Sequence, residues 1–268
     1  MRTFNLALLG FGNVGKSLAR LLLQKSAELR ERYAIEGDYY RMTEKTYDKA
    51  IEAYRSLIDL YPDDTIANTN LGVLYTNLEE WDKAIDCYMA ILRSGDPIVV
   101  ANLVECLQAK GDLAKAEEVV QEQVRRHGES HTTLSRLAQV HILQGRLDLA
   151  LEEIERALAL SPDNTDYLGG KIGVLALKGD LAGAEAAARR MIQGKNPAVV
   201  MMGWAEGATV AGFQGKAVQA LDDARQGLEL ARKSGQPQAI IQFLVPLSYV
   251  HLKTGRVKAA LDELGEAA

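Results

Sequence analysis

The sequence predicts an all-α protein, a stack of about seven helical hairpins behind a short strand–helix segment. Three observations predict it. First, one element recurs along the chain, and such a period is the mark of a stacked-repeat fold. "GDLAKAEE" at Gly111, "GRLDLALEE" at Gly145 and "GDLAGAEA" at Gly179 are 34 residues apart each time, and "GKAVQALDD" at Gly215 and "GRVKAALDE" at Gly255 follow after gaps of 36 and 40. "TYDKAIEAY" at Thr46 and "EWDKAIDCY" at Glu80 are the same element upstream. Second, every copy has a small residue at one point, Ala50, Ala84, Ala116, Ala150, Ala184, Ala220 and Ala260, where two helices can approach closely. Third, Ala and Leu are abundant while aromatics make up 6% and there are six prolines; straight-chain and small residues lose least on entering a helix.

Taken in order, "FNLALLG" (Phe4–Gly10) is a short apolar run closing on glycine, the pattern of a buried strand. From Lys16 to about Tyr33 the pattern is helical, with Leu18, Leu21, Leu22 and Leu29 near one stripe and Arg and Glu opposite. The repeats follow. Each hairpin has an apolar face that it cannot cover alone, so neighbours stack. In the second unit, "LGVLYTNLEEWDKAIDCY", Gly72 and Ala84 let two helices meet, and Leu71, Tyr75 and Tyr88 fill the space to adjoining hairpins. Pro62 ends the first unit and Pro162 the fourth. The fifth, "DYLGGKIGVLALKG", puts Gly169, Gly170 and Gly173 inside a helix, each at a cost of up to about 1 kcal/mol relative to Ala. Gly169 and Gly173 either make room for a bulky ligand side chain or loosen the packing. The seventh unit stops at Ala268, at or just before the end of its second helix. With no polar cap in sight, the expectation there is fraying, self-association or a longer parent chain.

The spacing of Leu71, Gly72, Tyr75, Trp81, Ala84 and Tyr88, together with Pro62, Pro162 and "ALALSPDN" (Ala157–Asn164), resembles the tetratricopeptide repeat over about residues 37–268. The opening repeats are also similar to the repeat regions of certain bacterial serine/threonine kinases, although no kinase motif is present. The resemblance implies a right-handed superhelix and a non-catalytic module that binds a protein or peptide in a concave groove lined by the first helix of each hairpin. By the geometry of the family, the groove residues are Asn70, Val73 and Asn77 in the second unit, Asn102 and Glu105 in the third, and Arg136 and Gln139 in the fourth. Asn70 and Asn102 occupy the same position in successive repeats, and each offers both donors and an acceptor to a peptide backbone. Some members clamp a C-terminal carboxylate with lysines and an arginine as well; here Arg136 alone stands in a comparable place.

The N-terminus carries a second motif. Gly10-Phe11-Gly12-Asn13-Val14-Gly15 reads G-x-G-x-x-G, and continued through Lys16 and Ser17 it also reads G-x-x-x-x-G-K-S. The triphosphate-loop pattern lacks a Walker B carboxylate and an N-K-x-D further on. The whole stretch "MRTFNLALLGFGNVGKSLARLLLQKSAELRERYAIE" resembles the N-terminus of homoserine dehydrogenase. That resemblance implies the first strand and helix of a Rossmann domain, with NADP or NAD held by Gly10, Gly12, Asn13, Val14 and Gly15. A dinucleotide site also needs a second strand with a ribose-contacting residue roughly 20 positions on, and there the first repeat begins. The expectation is therefore two segments, 1–36 and 37–268, joined as a chimera near Ile35–Gly37. An oxidoreductase fragment, inactive for want of the rest of its domain, is the alternative function.

Composition narrows the partner. A net charge of −5 argues against nucleic acid and anionic membranes, which call for a basic surface. No run of about 18 apolar residues exists to span a bilayer. Cys87 and Cys106 make no disulfide framework, and no secretion signal is evident, which points to the cytoplasm. His127 and His131 are four apart, but a turn at Gly128 separates them, so no metal site is expected; His141 and His251 fall at the position of Tyr75 and are expected to pack. Glu152 and Glu153 are expected on a solvated helix face, and no catalytic residues are assigned.

Overall fold

The computed structural model describes residues 12–41, 47–235, 237–253, 255–256, 258 and 262. All regular structure among them is helical. The chain divides into two compact units, residues 1–119 and 120–268. The expected strand at Phe4–Gly10 lies outside the described residues, as do Gly10 and Ala260.

Unit 1 holds α1 (Gly12–Tyr39), α2 (Tyr47–Leu60), α3 (Thr65–Asn77), α4 (Trp81–Ile91) and α5 (Pro97–Lys110). Each helix packs on the next, and α3 also reaches α5. The unit boundary falls within α6 (Leu113–His127). Unit 2 continues with α7 (His131–Leu143), α8 (Leu147–Leu160), α9 (Thr165–Leu177), α10 (Leu181–Ile192), α11 (Pro197–Phe213), α12 (Ala217–Ser234) and α13 (Pro237–Lys253). From α7 to α13 every helix again packs on its successor, and α9 also meets α11. Such nearest-neighbour stacking is what a hairpin with one uncovered apolar face requires.

The sequence explains where these helices begin and turn. Asp64, Asp96, Ser130, Asn164, Asp180 and Asn196 cap α3, α5, α7, α9, α10 and α11, each side chain accepting a backbone N–H of the first turn. Gly111, Gly145, Gly179 and Gly215, which join the two helices of a hairpin, all have φ between 72° and 83°. The second hairpin turns instead on Glu79, at φ 58°, the only non-glycine with positive φ among the described residues. A side chain in this left-handed region costs about 1–2 kcal/mol, and glycine gives part of that back through the entropy of the unfolded chain. Glu79→Gly is therefore expected to stabilise the protein by about 0.5–1 kcal/mol, measured as a rise in the urea midpoint.

The alanines mark the cores as expected. Ala50, Ala84, Ala116, Ala150, Ala184 and Ala220 are all buried. Around them Tyr54, Leu57, Leu74, Tyr88, Leu103 and Leu107 fill unit 1. In unit 2, one cluster gathers Ile172, Ala184, Met191 and Val199, and another Leu221, Leu228, Phe243 and Leu247.

The first helix departs from expectation. Instead of spanning Lys16 to about Tyr33, α1 runs from Gly12 to Tyr39 without a break at Ile35–Gly37. Its C-terminal half packs on α2 as the first helix of the first hairpin. Gly37 is buried where a Cβ would come 2.7 Å from Cζ of Tyr54, as a Cβ at Gly72 would come 2.6 Å from the ring of Tyr88. Arg30 Nε donates to Asp64 at 2.7 Å, and the Ser26 and Tyr61 hydroxyls are bonded. The helix reaches further than its leucine stripe because Gly37 and Asp38 make tertiary contacts that local periodicity does not contain.

Candidate peptide-binding face

In unit 1 the first helices, α1, α3 and α5, carry a polar seam. The Asp38 carboxylate accepts from the Tyr54 hydroxyl at 2.6 Å, from Asn70 Nδ2 at 3.2 Å and from Arg41 at 3.4 Å. Asn70 also donates to the Tyr54 hydroxyl at 3.2 Å. Burial, reinforced by Asp38, pushes the Tyr54 hydroxyl up to about 12. One repeat on, burial likewise pushes Tyr88 up to about 12, while hydrogen bonds with Thr76 and Asn102 pull the other way. Asn70 and Asn102 thus do the same thing in successive repeats. Each reaches back to the buried tyrosine of the preceding hairpin and braces one hairpin on another. The two asparagines are visible in the sequence as one repeated position, but a polar residue on a helix does not reveal that its partner lies in the neighbouring hairpin. Of the other expected groove residues in this unit, Val73 is half-buried, and Asn77 and Glu105 are exposed.

In unit 2, Gln139 is exposed and Arg136 half-buried on α7; burial lowers the pKa of the Arg136 guanidinium, with Tyr167 opposing. The Tyr167 hydroxyl is 2.9 Å from His131 Nδ1. His127 is exposed and His131 half-buried, and no cluster of three metal-binding side chains occurs among the described residues. His141 and His251 are buried, as expected for packing positions.

Glu153 corrects the sequence reading. It is not on a solvated face but buried, with Oε2 2.7 Å from His141 Nδ1. Asp223, at the same repeat position two hairpins on, is also buried, and takes both Arg189 Nη1 at 2.8 Å and Nη2 at 2.6 Å. Gly207 is small because a Cβ there would stand 3.1 Å from Asp223 Oδ2. These acids face the adjoining helix, and nothing within their own helix distinguishes them from solvated neighbours such as Glu152.

The glycines of α9 divide. Gly170 faces Ile154, Gly173 looks onto open space, and a Cβ at Gly169 would meet Met202 Cε at 2.8 Å and Glu206 Oε1 at 3.6 Å on α11. Glu206 holds the repeat position of Asn70, Asn102 and Arg136. Counting back from Ala220, as from Ala84 to Asn70, reaches it. Burial pushes its carboxyl above the ordinary value.

At the N-terminus, Gly12, Asn13, Val14 and Gly15 lie in the first turn of α1, with no strand beside them among the described residues.

Hairpins stacked by nearest-neighbour contacts, with polar positions recurring on their first helices, define a helical-repeat protein. A model of the tetratricopeptide repeat family matches residues 36–97, 106–165 and 136–198, more than half of the chain, and the protein belongs to that family. A tetratricopeptide repeat protein from Parabacteroides merdae is 15% identical, with a TM-score of 0.64 over 91% of this chain and 92% of that one. The C-terminal part of a repeat protein from Cytophaga hutchinsonii is 14% identical, with a TM-score of 0.56 over 86% and 93%. Pseudomonas aeruginosa pilF is 18% identical, with a TM-score of 0.53 over 82% and 98%. At such identities these likenesses show the fold alone. No curated protein sequence matches the chain.

Proposed function

We propose that the protein is a non-catalytic module that binds a protein or peptide along the face formed by the first helices of its hairpins. One observation carries the reading. Leu143, Leu177 and Phe213 end α7, α9 and α11 at the same repeat position, and they are 56%, 64% and 68% exposed. Single exposed apolar residues are ordinary on any protein surface, whereas the same position left apolar and exposed in three first helices offers a partner a repeated apolar contact. The reading also places the protein in a reducing compartment, in keeping with two free, buried thiols, Cys87 and Cys106. No helix among the described residues is long and apolar enough to cross a membrane.

The test is selection of displayed random peptides against the full chain, followed by anisotropy measurements on the peptides recovered. Asn77→Arg or Gln139→Arg, both at exposed positions, should weaken binding tenfold or more, while Glu118→Arg on the exposed side of α6 should leave it unchanged. Failure to enrich any peptide, or equal loss in all three variants, would remove the reading and leave a structural spacer.

A further inference from the structure

Resting on that reading, we infer that the α9–α11 face of unit 2 selects a peptide segment carrying a lysine or arginine beside bulky apolar side chains, with Glu206 receiving the cation. The inference begins from charge. Glu206 is half-buried, and among the described residues no hydrogen bond or ion pair engages its carboxylate. Four cations on or beside the helices packed against α11 are committed elsewhere. Lys171 bonds Glu155 at 2.6 Å, Arg189 bonds Asp223, Lys216 bonds Glu185 at 3.0 Å, and Lys178 bonds Asp148. A partly desolvated carboxylate left without a partner is a cost that a charge-assisted hydrogen bond from a ligand removes. Burial also raises the carboxyl's pKa, as expected of an acid whose counter-charge is missing.

Shape points the same way. Beside Gly169, where α9 has no side chain, lie the Met202 methyl and Oε1 of Glu206, and Gly173 one turn on opens onto free space. Leu177 and Phe213 close the same two helices with exposed apolar side chains. A segment lying across α9 and α11 would therefore meet a carboxylate, the thioether of Met202, open space at Gly173 and an apolar edge, which together suit a basic side chain with large apolar neighbours.

The test uses the full chain and three blocked, fluorescent peptides, acetyl-Gly-Leu-Leu-X-Leu-Phe-Gly-amide, with X as lysine, norleucine or glutamate. The lysine peptide should bind at least tenfold more tightly than either of the others at low salt. Glu206→Gln should bring the three to within about twofold of one another without lowering the melting temperature, since it removes a charge that burial disfavours. Phe213→Ser should weaken all three by a similar factor. An unchanged lysine preference in Glu206→Gln, or equal binding of the three peptides to the wild type, overturns the inference. So does a dimer in solution that Phe213→Ser dissolves, which would give the edge to a second copy. If displayed peptides are selected by the face but ignore Glu206→Gln, this inference falls while the binding function stands; if none is selected, both fall.

Discussion

A valine at Gly72 is expected to cost about 2–3 kcal/mol of stability, and a valine at Gly37 about as much. Both glycines face a fully buried tyrosine ring. A Cβ at Gly72 would lie 2.6 Å from Cε1 and Cζ of Tyr88, and one at Gly37 2.7 Å from Cζ of Tyr54, against about 3.5–4 Å for carbon atoms in comfortable contact. The rings are not free to swing aside, because the Tyr54 hydroxyl is held by Asp38 and Asn70 and that of Tyr88 by Thr76 and Asn102. Overpacking costs about 1–3 kcal/mol or more. Against this stands the better helix propensity of the new residue, at most about 1 kcal/mol and less for a β-branched side chain, so the clash wins. Urea denaturation of both variants measures the effect. A silent Gly37→Val beside a damaging Gly72→Val would mean that α1 is not a working part of the array.

Replacing Asp223 with alanine should cost about 2–4 kcal/mol. Its carboxylate is 7% exposed and accepts two bonds from one guanidinium, whereas Arg189 is 32% exposed. Removing one member of a buried pair leaves the other without compensation, at about 3–5 kcal/mol when both are fully buried; the partial exposure of Arg189 puts this pair at the lower end. The double variant Arg189→Met with Asp223→Leu should recover most of the loss, since the pair's net worth against apolar residues of similar volume is small. A double-mutant cycle by thermal or urea unfolding gives the coupling. By contrast, Asp148→Ala should cost less than about 1 kcal/mol, because Asp148, which pairs with Lys178, is 91% exposed. Equal losses at Asp223 and Asp148 would show that burial is not what sets the strength of these pairs.

The repeats could be found in the primary structure because their causes are local and recur. An alanine at each close approach, a glycine at each left-handed turn and a capping side chain at each helix start act within a few residues of themselves, and so leave a period. Even the exception, Glu79, stands out by its place in that period. Gly10–Gly15 stands out because its glycines are neighbours in the chain, while the residue that ties α1 to the array, Gly37, has meaning only against Tyr54 across a hairpin.

The polar residues followed a different rule. Glu152 and Glu153 are adjacent and chemically alike, yet one is exposed and the other bonds His141 in the interior. Asp223 finds Arg189 34 positions away, and Asn70 spends its amide on Asp38 and Tyr54. Periodicity established which helices exist and which faces are apolar, because those follow from neighbours along the chain. Which carboxylates and amides are buried, and whether each is engaged, as Asp223 is, or unengaged among the described residues, as Glu206 is, depended on the helix that came to lie against each of them, and a partner brought close by stacking leaves no local trace.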